Sequence, residues 1–280
     1  MHRVTRLVLW ADVAVTFIAG FALYPLVRRA DTSFAWTIKA PITAAFLGAG
    51  YWGAMISLTV AAMTREWQRV RIAFVIGIVL TTLMLVPTFV YLDQFHLTDG
   101  SRTAKELAWF WLVLYLVQPV VVLALFLLQE RAGGRLDRDV EEPLGPWFRV
   151  AVLAHVLVLG AVAVAIGPVR ADGFWPWPLP DLGAAAIVVW SVTFAAGAGW
   201  ALRERDWRRA RVVFPAYLTF LALLLVAAAR FSDAFDARAW QTWTWLGAVA
   251  SSFMTLALGA VQQELIPRRH VAAASVPDPV

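Results

Sequence analysis

Two ionisable residues occupy matching places in two long apolar segments of the chain. Asp12 lies six residues after Arg6 in the first segment, and His155 lies six residues after Arg149 in the fifth. An ionisable side chain inside a membrane-spanning segment is costly and is by default a functional-site hypothesis. If these segments face each other, Asp12 and His155 could relay a proton or couple it to a substrate. The alternative is an interfacial Asp12 bonded to water or Arg6, and a neutral His155 that only packs between helices.

Aromatic residues close to acids form a second candidate site. Many of the 15 Trp residues fall at the predicted outer ends of the apolar segments, where carboxylates also occur. Aromatic faces and carboxylates together can bind a cation, a sugar or a lipid headgroup. These candidate ligand-binding residues are Asp31, Asp93, Asp172, Asp233, Trp36, Trp111, Trp175, Trp177 and Trp245. The simpler interpretation is an aromatic belt, because Trp is common at membrane interfaces.

The sequence contains none of the common catalytic or cofactor motifs. It has no phosphate-binding loop, no glycine-rich dinucleotide fingerprint and no His-Glu-x-x-His sequence. Its four histidines, His2, His96, His155 and His270, do not have the spacing of metal or paired haem ligands. Cysteine is absent, which excludes disulfides and thiol chemistry. We therefore predict no cofactor and no metal, and we favour a non-enzymatic function.

The composition is that of a membrane protein. Hydrophobic residues make up 61% of the 280 residues and charged residues only 15%, and the mean hydropathy is +0.69. Soluble domains are about 45–50% apolar and about 25% charged. The comparison excludes an ordinary soluble enzyme, a disordered chain and a nucleic-acid-binding domain. The net charge of +5 comes from basic residues between the apolar segments, so we attribute it to membrane topology and not to nucleic acid.

Eight apolar segments are close to the roughly 20 residues that a helix needs to cross a membrane. They cover residues 7–27, 42–63, 72–92, 107–128, 149–167, 183–201, 212–229 and 242–262. An even number places both termini on one side. With cytoplasmic termini, 16 of the 24 basic residues lie on the cytoplasmic side, as the positive-inside rule requires. The dominance of Arg over Lys is typical of a bacterial protein, so we expect the bacterial inner membrane.

The second half of the chain repeats the first. Residues 64–71 match residues 204–211 at an offset of 140, and residues 109–111 match 243–245 at an offset of 134. Further matches pair Arg6 with Arg149, Asp12 with His155, Pro25 with Pro168, residues 29–31 with 170–172, Phe34 with Phe174, and residues 129–130 with 263–264. The offset changes only within predicted outer loops, where insertions and deletions are tolerated best.

The repeat and the segment count together predict the fold. We expect an all-α integral membrane protein whose eight transmembrane helices form two parallel four-helix repeats. A pseudo-two-fold axis along the membrane normal would relate them, because an even number of spans preserves orientation. The predicted units are repeat A at 1–130, a cytoplasmic linker at 131–147, repeat B at 148–267 and a cytoplasmic tail at 268–280.

The sequence also resembles a group of bacterial proteins. The Phe-Ala-Trp-Thr-Ile stretch at 34–38, the Trp-rich segment ends and the two Arg-acid-Trp loops are similar to those of uncharacterised bacterial multi-pass membrane proteins with tandem four-helix repeats. The resemblance implies the architecture alone, and it implies no catalytic or binding residues.

Three classes of function remain. The first is binding or transport of an amphipathic, lipid-like or cationic ligand through an outer aromatic and acidic vestibule between the repeats. It predicts that Asp12, His155, Asp31 and Asp172 line one connected cavity. The second is a non-catalytic subunit or scaffold of a larger membrane complex, which predicts a solid interface between the repeats. The third is a membrane enzyme that acts on a lipid carrier. The expected partners are membrane lipids and further membrane subunits or a second copy of the chain, with no nucleic acid.

Overall fold

The described part of the protein is helical. A computed structural model describes residues 1–132, 140, 142–168 and 173–265, and these residues contain no β-strand. Its long helices are α1 Arg3–Leu23, α2 Pro41–Met63, α3 Trp67–Val90, α4 Arg102–Ala132, α5 Pro146–Ile166, α6 Asp181–Glu204, α7 Phe214–Arg230 and α8 Trp240–Leu265. Residues 133–139 and 141 of the linker predicted at 131–147, and the whole tail predicted at 268–280, fall outside the described residues.

Seven of these eight described helices are long and apolar enough to cross a membrane. The exception is α7, which has 17 residues and is apolar but shorter. Proline marks the first turns of α2, α5 and α7, where its fixed φ suits a helix and its missing N–H costs nothing. Pro87 lies inside α3 and therefore removes one donor from the ladder of backbone hydrogen bonds.

The first four long helices and the last four, called here the two helix sets, pack both within each set and against each other. In the first set α1 packs against α2, and α3 packs against α4; in the second set α5 packs against α6, and α7 packs against α8. The sets meet where α2 packs against α7 and α3 packs against α6. Consequently α2 and α6 are the most buried spans, whereas α1, α4, α5 and α8 expose most of their apolar side chains.

The interface of α2 and α3 with α6 and α7, called here the seam, is closely packed. A Cβ atom at Gly50 would lie 2.9 Å from the ring of Trp190, and one at Gly53 would lie 2.7 Å from the carbonyl oxygen of Ala216. Only glycine allows such approaches, because any side chain would overlap its neighbour. The glycines of α2 thus bring the two sets of helices into direct contact.

The connections between helices gather at two ends of the bundle. One end, called here the Trp-rich end, carries residues 24–40, 91–101, 173–180 and 231–239. The opposite, Arg-rich end carries residues 1–2, 64–66, 142–145 and 205–213. Side chains join the helix sets at both ends. Arg71 pairs with Glu204 at the Arg-rich end, and Trp177 Nε1 donates to Thr43 Oγ1 at 2.9 Å at the Trp-rich end.

Candidate functional site

Asp12 lies in a small, mainly apolar cavity within the first four helices. Gln118 of α4 donates its Nε2 hydrogen to Asp12 Oδ1 at 2.6 Å. Both side chains line a cavity of about 110 Å³ together with Tyr51 and Tyr115, whose buried hydroxyls are hydrogen-bonded at 2.8 Å. The sequence singled out Asp12 but not its partners, which lie on other helices.

His155 lies in a different cavity, which residues of the last four helices and Phe46 of α2 line. It is 7% exposed, and its ring centre is 5.4 Å from that of Tyr217. Among the described residues neither ring nitrogen has a hydrogen-bond partner, and the same holds for Trp175 Nε1, which lines the same cavity of about 70 Å³. Asp12 and His155 therefore do not face each other. They lie on peripheral helices on opposite sides of the packed seam, because α2 and α6, and not α1 and α5, occupy the centre.

The predicted acids and aromatic residues of the outer face are separated in the structure. Asp31, Asp93 and Asp233 are exposed at the Trp-rich end. Asp172 lies outside the described residues. The aromatic residues turn inward instead, so that Trp36, Trp111, Trp175 and Trp177 are buried and Trp245 is half-buried. The described predicted acids are thus exposed, whereas the predicted indole rings are buried or half-buried.

The buried aromatic residues form two clusters of similar geometry. In the first, the ring centres of Trp36 and Trp111 are 4.9 Å apart at an interplanar angle of 80°, with Phe95 beside them. In the second, those of Trp177 and Trp245 are 5.3 Å apart at 78°, with Phe235 beside them. Edge-to-face contacts of this kind stabilise by about 0.5–1.5 kcal/mol each beyond burial. Each cluster fixes the connection of its own helix set at the Trp-rich end.

The largest cavity among those found is a groove at the Trp-rich end of the seam, between α3 and α6. Its volume is about 890 Å³. The walls are mainly aliphatic and include Leu83, Val86, Val90, Ile166, Val188 and Val192. Trp175 and Trp177 of the predicted site also line it, whereas Asp181 and Gln241 supply polar groups. A concave apolar site with a few polar groups is the usual form of a small-molecule site.

The segment 175–179 that lines this groove is held rigidly. Three prolines at 176, 178 and 180 fix φ and prevent a helix from forming. Trp177 is anchored on Thr43 of α2, and Gln241 of α8 donates its Nε2 hydrogen to the carbonyl oxygen of Gly173 at 2.6 Å. The wall formed by this segment is therefore part of the folded structure, tied to both helix sets.

The Arg-rich end carries a buried ion-pair network. Glu204 of α6 accepts hydrogen bonds from Arg71 of α3 and, at 3.1 Å, from Arg209. Trp200 Nε1 also donates to Glu204, at 2.9 Å. Burial raises the pKa of the nearby Asp206 carboxyl, while the charge of Arg209 opposes that rise. Sequence reasoning missed Glu204, although it stands where the first half has Thr64 and so breaks the repeat.

The same indole hydrogen bond occurs twice at this end. Trp67 Nε1 donates to Glu130 Oε1 at 2.8 Å, and Trp207 Nε1 donates to Glu264 Oε1 at 2.9 Å. In each case the Trp of an Arg-acid-Trp loop ties that loop to the last helix of its set. Comparisons with known protein families, with curated proteins and with solved structures found no match to this chain.

Proposed function

We propose that the chain is a polytopic membrane protein of two parallel four-helix repeats that binds an amphipathic, lipid-like molecule in the groove between α3 and α6. The helix boundaries support the repeat. Shifting α1, Arg3–Leu23, by the offset of 143 gives the bounds of α5, Pro146–Ile166. Shifting the last residue of α3, Val90, by 140 gives Arg230, the last of α7. The duplicated Trp–Glu hydrogen bonds and aromatic clusters support it further.

In this proposal all eight helices span the bacterial inner membrane, with both termini in the cytoplasm and the Trp-rich end outside. Helix α7, at about 1.5 Å per residue, is about 25 Å long, which a locally thinned bilayer accommodates at modest cost. Repeat A covers 1–130, the linker 131–147, repeat B 148–267 and the tail 268–280. The excess of arginine on the cytoplasmic side supports this orientation.

The groove carries the functional proposal. Its volume of about 890 Å³ lies within the range of about 300–1,000 Å³ typical of ligand sites. Aliphatic walls suit a hydrocarbon chain, because each buried CH₂ contributes about 0.8 kcal/mol. Asp181 and Gln241 supply polar side chains at the groove, where a polar headgroup can lie.

The packed seam favours binding over passage through the protein. Transport through the bundle centre would need space between α2 and α6, where Gly50 and Trp190 are in contact. Asp12 and His155 line separate cavities, and Asp31 is exposed. We therefore place the ligand in the groove and not on a route along the seam.

A photoreactive fatty alcohol with a diazirine in its chain tests the groove. In the purified wild-type protein, crosslinks are expected on α3 at 83–90 and on α6 at 184–192. Ala185→Phe and Val86→Trp should fill the groove and remove these crosslinks, because both residues line it. Ala154→Phe, on the exposed face of α5, is the matched control and should keep them. Equal labelling in all four proteins, each eluting as a folded species, would refute the proposal.

A scaffold role is the second candidate, and the solid seam favours it. Exposed apolar faces on α1, α4, α5 and α8 can contact partner membrane subunits or a second copy as well as lipid. The mass of the purified protein in lipid nanodiscs tests self-association. A monomer that still binds the fatty alcohol in the groove would favour ligand binding over the homo-oligomeric scaffold.

A further inference from the structure

In the first helix set, a tyrosine occupies the position that corresponds to the groove. Tyr24 follows the last residue of α1 and is buried. Its hydroxyl donates to the carbonyl oxygen of Leu223 in α7 at 2.6 Å. Arg230 Nη1 donates to the Tyr24 carbonyl oxygen at 3.3 Å. The phenol ring of Tyr24 thus lies between α1, α2 and α7, and its hydroxyl donates a hydrogen bond to α7.

The helix ends show which residues of the second set correspond. Tyr24 donates its backbone N–H to Gly20, and Gly167, at an offset of 143, donates its backbone N–H to Ala163. Gly167 has no side chain and lines the groove. The groove is therefore the counterpart of the position that the Tyr24 side chain fills.

The neighbouring helices of the two sets also differ at corresponding positions. A Cβ atom at Gly48 of α2 would lie 2.9 Å from Tyr24 Cβ, so only glycine lets Tyr24 seat there. At an offset of 140, α6 carries Val188, whose side chain lies 3.6 Å from a Cβ placed on Gly167. The first set thus packs a tyrosine on a glycine, and the second has a valine beside a glycine where both residues line the groove.

The residue that accepts the hydrogen bond from Tyr24 has a counterpart at the groove. Leu223, which accepts from Tyr24, corresponds to Leu83 at the offset of 140, and Leu83 lines the groove. The helical donor to the Leu83 carbonyl oxygen would be the N–H of residue 87, which is proline and has none. A carbonyl that loses its donor in an apolar environment gains free energy from a hydrogen bond supplied by a ligand. The cation beside Tyr24 has no counterpart at the groove, because Arg230 corresponds to Val90.

From these correspondences we infer the chemistry of the ligand: a neutral amphipathic molecule that carries a phenolic hydroxyl next to an apolar chain. Its hydroxyl donates to the Leu83 carbonyl oxygen, as Tyr24 donates to that of Leu223, and its chain lies along the aliphatic walls. The inference rests on the proposed function, since it assumes that the groove is occupied, and it adds the donor that the occupant must supply.

A matched pair of ligands separates this inference from the proposed function. A long-chain para-alkylphenol and its methyl ether have the same apolar body, but only the phenol donates a hydrogen bond. Their affinities for the purified protein are measured by calorimetric titration in one detergent. We expect the phenol to bind about fivefold more tightly than the ether, the value of one net hydrogen bond. Pro87→Ala returns a helical donor to the Leu83 carbonyl and should reduce this preference to about twofold.

Each outcome has one meaning. A phenol preference in the wild type that decreases in Pro87→Ala and disappears together with binding in Ala185→Phe supports the inference. Equal binding of phenol and ether, abolished for both by Ala185→Phe, overturns the inference and leaves the groove as a lipid site. Binding of neither ligand, or binding that Ala185→Phe leaves unchanged, overturns the proposed function as well. The wild-type comparison holds even if a variant fails to fold.

Discussion

Replacing Glu204 by glutamine is expected to destabilise the protein strongly, because this carboxylate holds the two helix sets together at the Arg-rich end. The Glu204 side chain is 6% exposed, and its partners Arg71 and Arg209 are 9% and 11% exposed. Glutamine keeps the shape but removes the charge, so two buried guanidinium groups lose their main counterion. Breaking a buried pair on one side typically costs about 3–5 kcal/mol.

The chain provides a matched control for this substitution. Glu66 and Arg69 form an ion pair at 2.7 Å in the corresponding loop of the first half, but the Glu66 side chain is 62% exposed. Exposed pairs contribute about 0–1 kcal/mol, and salt screens them more than buried pairs. Glu66→Gln should therefore change stability little.

The free energies of unfolding of both variants are measured in one mild detergent by denaturant titration with tryptophan fluorescence, at low and high salt. We expect Glu204→Gln to lose about 3 kcal/mol or more at both salt concentrations. A double-mutant cycle with Arg71→Gln should show coupling of at least about 1 kcal/mol. If Glu204→Gln costs no more than Glu66→Gln, the reasoning that burial makes this pair essential is refuted.

Two further predictions concern the repeated packing. Gly48→Ala should lower the free energy of unfolding by about 1–3 kcal/mol, because its Cβ would lie 2.8 Å from the backbone of α1. Gly160→Ala is the control and should not destabilise the protein, because a Cβ there has no neighbour within 4 Å. Equal melting temperatures of the two variants would contradict this prediction. Trp67→Phe and Trp207→Phe each remove one indole hydrogen bond to a glutamate and should each cost about 1–3 kcal/mol. Denaturant titration measures both losses, and a loss confined to one variant would count against equivalent repeats.

Sequence reasoning located the helices because the signal is local. Apolar runs predicted the position of every long helix of the described chain, and the run predicted at 149–167 ends within one residue of helix α5, Pro146–Ile166. The run at 107–128 became the longer helix Arg102–Ala132, because polar residues can continue a helix beyond the hydrocarbon region.

The pairing of the helices could not be predicted in the same way. Asp12 and His155 are equivalent in the repeat, and equivalence alone suggested that they meet. Which helices lie at the centre of the bundle depends on where two backbones can come close together. Glycines such as Gly50 and Gly53 allow this close approach. Their small faces were visible in the sequence, but the ring that fills the space, Trp190, lies about 140 residues away.

The sequence predicted the end of the molecule at which the proposed groove lies, but it did not predict which residues line the groove. Trp175 and Trp177 line the groove, yet they do so as part of a rigid wall, while Asp31, Asp93 and Asp233 face outward. Interfacial tryptophans can serve packing and binding at once, so their types and spacing do not separate the two uses.

We attribute the proposed binding groove to differences between corresponding positions of the two halves. Where the first half has Tyr24 against Gly48, the second has Gly167 near Val188. In the proposed repeat, the phenol of Tyr24 occupies in the first half the position that the proposed ligand occupies in the second. On that proposal, a glycine in place of one large side chain distinguishes a binding site from a filled position, while the surrounding helices stay equivalent.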